Sequence, residues 1–170
     1  MNWEAISAAA AVTSAAVIAA TAIAAIIQIR QLKLATQLEG FLALHAEYAA
    51  PEMYACRAYV ANVLPGKLRD RAYREEIAVN KAFDTHPELM LGNFWEKIGT
   101  LVRRGVLDPN LYLDVGAYRA IEAYRQLEDV IALRRRDEPL QWDGFDHFVA
   151  LSREYLKRHG GIPQSALPKD

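Results

Sequence analysis

The sequence predicts an all-α protein: an N-terminal transmembrane helix that continues into a small cytoplasmic helical bundle. Three observations carry that expectation. Residues Ala5 to Ile29 contain no charged side chain. Beyond them, apolar residues recur at helical spacing between caps and breakers. No segment alternates with period two, no Asn-Gly hairpin turn occurs, and no internal repeat is found. The 170 residues, 52% apolar and 24% charged, make room for one compact domain and a modest extension. A net charge of −1 supplies no global basic field, so no nucleic-acid partner is expected.

The uncharged stretch is the first element, spanning residues 5–29. Its only polar side chains are Ser7, Thr13, Ser14, Thr21 and Gln28. At 1.5 Å per residue it makes roughly 37 Å of helix, enough for a hydrocarbon core of about 30 Å with some tilt. Ala is only weakly apolar, so insertion rests on Ile6, Val12, Val17, Ile18, Ile23, Ile26, Ile27 and Ile29. A cleaved secretory signal wants a basic leading region, whereas this chain opens Met1-Asn2-Trp3-Glu4, and the apolar run exceeds a signal's usual length. A buried core helix of a soluble protein is the other alternative, and the stretch is long for one.

Glu4 precedes the span and Arg30 and Lys33 follow it, which predicts an N-terminus outside and a cytoplasmic remainder in the inner (plasma) membrane. Trp3 fits an interfacial anchor. Ala8, Val12, Ala16, Ala20 and Ala24 run along one face and permit close helix–helix approach, although any Ala-rich segment shows such a stripe.

A helical extension follows over residues 30–50, with no Pro or Gly until Gly40. Ile27, Leu34, Phe41 and Tyr48 recur every seven residues, with Leu38 and His45 beside them, which reads better as a bundle face than as a coiled coil interrupted at Gly40. The bundle itself is expected over residues 51–160. Its helices read as Glu52 to Leu64, stopped by Pro65-Gly66, then a charged helix from Lys67 to Phe83. Asn93 is expected to cap a helix carrying Phe94, Trp95, Ile98, Leu101 and Val102, with Gly105 as its stop. Asp108-Pro109 opens a longer helix to Arg136, kinked at Gly116, and Asp143 caps a last helix to Arg158 that ends at Gly160-Gly161. Residues 161–170 are expected to form a loose tail.

Several chemistries are excluded. Of four serines only Ser152 lies in the bundle, and there is no G-x-S-x-G. Neither a P-loop nor a dinucleotide glycine motif is present, and no Glu precedes a His by three residues as bundle di-metal sites require. The single Cys56 rules out an internal disulfide and reads as a small core residue. No cofactor is therefore expected.

The candidate metal or acid–base residues are Asp143, Asp146 and His147, which a helix places on one face. The plainer reading makes Asp143 the cap and Asp146 a partner of the helix dipole. His45 and Glu47 point to opposite sides of a helix, and Asp84 and His86 read as turn residues beside Pro87. Arg134-Arg135-Arg136 reads as charge at a helix C-terminus rather than a lipid patch, and the tyrosines, among them Tyr48, Tyr54, Tyr59, Tyr118 and Tyr124, as edges of helix packing.

The segment from Phe94 to Asp108, the Arg-rich end at Arg134–Arg136 and the closing Phe145-x-x-Phe148 helix resemble a family of bacterial single-pass membrane proteins catalogued as a domain of unknown function. The resemblance covers roughly residues 1–158, with Trp95 standing where a second Phe is expected. It implies a cytoplasm-facing helical domain with no catalytic residues to carry over. The functional expectation is a membrane-anchored interaction or regulatory module whose partners are the bilayer and another protein or a second copy. The alternative is a membrane-bound enzyme using acid–base or metal chemistry at the last helix.

Overall fold

A computed structural model describes residues 3–79 and 85–160, with residues 4–6 and 8–12 described as backbone only. The described residues are helical, without strands. The elements are α1 (Trp3–Ala49), α2 (Pro51–Asn62), α3 (Leu64–Lys67), α4 (Arg71–Val79), α5 (Glu88–Arg103), α6 (Pro109–Gln126), α7 (Glu128–Arg134) and α8 (Asp143–Arg158). The chain divides into two compact units, Met1–Gly40 and Phe41–Asp170.

The first unit falls on α1, which is long and apolar enough to cross a membrane. All residues from 13 to 36 are exposed, Ile18, Ile23 and Ile27 among them. Thr21 lowers the cost of its hydroxyl by donating to the Val17 carbonyl one turn back (2.8 Å). Helical backbone continues through Gly40 to Ala49, as expected for a helix that runs on past the apolar stretch. One glycine costs a long helix only about 1 kcal/mol relative to Ala.

The second unit is a bundle around Trp95, which is 1% exposed. Its indole stacks with Phe145 and Phe148 at centroid distances of 6.0 and 5.8 Å, and meets Phe94, Tyr48 and Tyr112 edge-on. Residues 41–49 of α1 belong to this unit because Leu44 and Tyr48 are buried in the same core. His45, one residue beyond Leu44, faces solvent.

Close approach of α5 and α8 depends on two glycines. A Cβ on Gly99 would lie 1.7 Å from the Gly144 carbonyl oxygen, so no other residue fits without moving a backbone. On the same face of α5, Gly92 receives the Trp142 indole, whose atoms would lie 2.3 Å from an added Cβ. Glu96, between them, accepts the Phe145 backbone N–H at 2.9 Å and the Thr100 hydroxyl at 3.1 Å. A carboxylate from one helix thus satisfies the positive N-terminal end of another.

Several boundaries differ from expectation. α2 stops at Asn62, and Pro65-Gly66, expected to break a helix, lie inside the short α3, where Pro needs no N–H in the first turn. α4 starts at Arg71 because Asp70 accepts the Ala72 N–H (2.9 Å); its expected end at Phe83 lies outside the described residues. α5 begins at Glu88, so Asn93 is no cap and its side chain instead accepts the Trp142 indole N–H at 2.7 Å. The long helix expected to kink at Gly116 breaks at Leu127, while Gly116 makes room for the Tyr112 ring. Gly105, with φ +67°, ends α5, and Asp108 caps α6 by accepting the Asn110 N–H (2.9 Å), both as the sequence indicates. Gly160 follows α8 at φ +69°; the tail from 161 lies outside the described residues.

Candidate functional site

The candidate residues Asp143, Asp146 and His147 all lie on the last helix, α8. Asp143 is the first residue of α8 rather than its cap, a position taken by Trp142 in the left-handed region (φ 59°). That backbone is held by the indole's seat on Gly92 and its bond to Asn93. The Asp143 carboxylate pairs with Arg103 of α5 at 2.7 and 3.3 Å. The pairing holds the carboxyl below its ordinary range and raises the guanidinium, a surface effect of small energetic weight.

Asp146 pairs with Arg135 at 2.7 Å, and the same guanidinium donates to the Gln141 and Trp142 carbonyls. His147 is half-buried beside them. Each carboxylate therefore serves an arginine that ties α8 to another segment. Among the described residues, no three His, Cys, Asp or Glu side chains gather as a metal site would need.

The arginine run is divided by the fold. Arg134, 5% exposed, donates to the Ile77 and Ala78 carbonyls in the last turn of α4 (3.3 and 3.5 Å), so its charge satisfies a helix other than its own. Arg135 holds the turn before α8, and Arg136 lies at the surface.

A polar cluster that sequence reasoning missed lies where α2, α4 and the start of α5 meet. His86 and Glu88 are both fully buried, and His86 Nδ1–H donates to Glu88 Oε1 at 2.9 Å. The Tyr73 hydroxyl donates to the same oxygen at 2.8 Å. Its single proton spent there, Tyr73 accepts from the Tyr59 hydroxyl at 3.0 Å. On the far side of the ring, His86 Nε2 lies 3.4 Å from Glu76 Oε1, and the Tyr73 and His86 rings pack 5.2 Å apart.

Burial and hydrogen bonds to Tyr59 and Glu88 push the Tyr73 phenol far up, so it serves as a donor and not a base. Cys56 closes the cluster by donating its thiol to the Pro87 carbonyl (2.9 Å), and burial pushes that thiol up to about 11. The expectation of a core cysteine agrees with its 2% exposure, whereas His86, read as a turn residue, is wholly interior. Asp84, its expected companion, lies outside the described residues. The only sequence signal was faint: Tyr73 and Glu76 one turn apart on α4, and His86-x-Glu88 around a helix start.

The cluster is a chain of acid, imidazole and phenol groups locking three helices together, and Glu88 Oε2 and His86 Nε2 keep buried positions without hydrogen-bond partners. The described residues thus combine one helix long and apolar enough to cross a membrane with a bundle secured by buried polar groups.

The chain belongs to the family defined by the domain of unknown function DUF4760, which matches residues 11–152. The match takes in part of the apolar segment of α1 together with most of the bundle, including every residue of the buried cluster and of the α5–α8 seat. Neither the curated proteins nor the solved structures contain a match.

Proposed function

We propose that this chain is a single-pass, membrane-anchored interaction or regulatory module of the plasma membrane, with its N-terminus outside and its bundle in the cytoplasm. One observation carries the reading: residues 13–29 form a continuous helix whose apolar side chains are all exposed. In water such a surface costs about 25 cal/mol for each Å² of apolar area, whereas lipid removes that cost. The basic residues Arg30 and Lys33 on the C-terminal flank support the orientation. The anchor confines the bundle to the bilayer surface, which raises its effective concentration toward partners in the same membrane.

Crosslinking mass spectrometry on native membranes carrying the tagged full-length chain tests the reading, beside a copy lacking residues 1–30. A stoichiometric protein partner on the bundle, weakened without the span, is the expected result. Extraction of the full chain by alkaline carbonate argues against the anchor. A mature chain found to start beyond the apolar run replaces the anchor with a signal sequence. Protease accessibility of the bundle from the cytoplasmic side alone checks the orientation.

A further inference from the structure

A cleft of about 220 Å³ lies in the second unit between the last turn of α1, α2, α5 and α6. Its back wall is Tyr48, 8% exposed, whose ring packs inward against Phe94 and Trp95. Over the same ring stand two guanidiniums, Arg57 at 4.1 Å and Arg119 at 5.4 Å from its centroid. The two cations are thus no farther apart than the sum of those distances.

Two guanidiniums that line one cleft ordinarily pair with carboxylates, and here Glu122 and Glu47 are otherwise engaged. Glu122, on the cleft wall, accepts from Arg125 at 2.9 and 3.2 Å and from Gln126 at 2.9 Å. Glu47 accepts from Lys97 at 2.7 and 2.8 Å. Arg57 donates only a long bond from Nε to the Met53 carbonyl (3.4 Å), which leaves its outer fork directed to no acceptor among the described residues. Among the described residues, Arg119 makes no hydrogen bond or ion pair and lies over the Tyr48 ring. The floor is apolar, formed by Leu91 with Ala61 and Ala123.

We infer that this cleft binds a carboxylate carried on a small apolar body, the carboxylate bridging Arg57 and Arg119 and the body resting on Leu91. Guanidinium forks match planar carboxylates with paired, charge-assisted bonds. A carboxylate fits better than a phosphate because the walls are the sides of helices, whose backbone N–H groups are already used. A polypeptide C-terminus ending in an apolar residue and a short free acid share this chemistry. The inference goes beyond the tethered-module reading and stands whether or not α1 crosses a bilayer.

The test is titration of the full-length, ¹⁵N-labelled chain in lipid nanodiscs, following the Arg side-chain Nε–H signals. The probes are N-acetyl-leucine for a chain terminus and 3-methylbutanoate for a free acid. Their amides and isopentyl phosphate are the controls. Saturable shifts with either acid, absent with its amide, are expected, and which acid binds more tightly identifies the source.

Arg57→Gln and Arg119→Gln should each weaken binding by about tenfold at unchanged helicity, with partial recovery in Arg119→Lys. If either variant fails to fold, the acid-against-amide comparison on the unaltered chain decides. Shifts that do not saturate, an amide equal to its acid, a phosphate that binds more tightly than both acids, or unweakened binding in both folded Gln variants overturn the proposal.

Discussion

Two helices of this chain are rich in apolar residues and put them to opposite uses. In α1, residues 13–36 are exposed on every side, and Ala, Ile and Val surround the axis with no polar face until Arg30. In α5, 9 of 16 residues are buried, among them Leu91, Phe94, Trp95, Ile98 and Val102, while Lys97 and Arg103 stay outside. A helix apolar all round has no inner side to bury and suits a solvent that is itself apolar. One with a single apolar face must find a protein partner, and α8 is that partner. Apolar content is thus a poor guide to where a core lies; its distribution around the axis is the better one.

The comparison can be broken first at its hub. Trp95→Ala removes the ring on which five aromatic neighbours pack, and should cost about 3–5 kcal/mol of bundle stability in denaturant melts of the full chain. A loss under 1 kcal/mol would show that the bundle is held elsewhere.

Gly99→Ala comes next. Its methyl meets the Gly144 carbonyl, a backbone atom that cannot turn aside, so about 3 kcal/mol should be lost and the α5–α8 spacing should widen. Near-wild-type stability would mean that the two helices slide apart without cost.

Ile18→Arg probes the other helix. A charge at mid-span should lower membrane insertion by about 2.5–3.5 kcal/mol in a translocon assay, while the bundle's melting temperature stays the same. A fall in that temperature instead would show that this segment contributes to the core.

Glu96→Gln is smaller, about 1 kcal/mol, because the amide still accepts the Phe145 N–H but no longer brings charge to the α8 N-terminus. Glu96→Ala, which leaves that N–H unpaired, should lose about twice as much.

The smallest effect sharpens the contrast between a buried and a reactive thiol. Burial raises Cys56 from its ordinary 9.0 to about 11, so the neutral thiol is the form that the fold favours. Its contribution to stability is complete below pH 9 and declines as pH rises toward 11. Cys56→Ala should flatten the stability profile in that window, and thiol reagents at pH 8 should modify the native chain far more slowly than the unfolded one. Equal rates would place the thiol at the surface.

The sequence by itself determined the helical class, the uncharged run of residues 5–29, the end of α5 at Gly105, the start of α6 at Asp108, and the burial of Cys56. Each of these follows from local chemistry: caps, positive-φ glycines, and an uninterrupted run without charge. Only the tertiary structure decided that Asn93 binds an indole rather than capping a helix, that Glu96 supplies the charge at the start of α8, and that Asp143 and Asp146 belong to Arg103 and Arg135.

Tertiary structure also gathered Tyr59, Tyr73, His86 and Glu88 into one buried chain, and set Arg57 and Arg119 over a single tyrosine. The physical reason is the range of the interactions. Hydrogen bonds along one helix join residues a turn apart and leave a mark in sequence spacing. A polar group's partner across a helix interface can stand 57 positions away, as Ile77 does from Arg134, and no periodicity records that pairing.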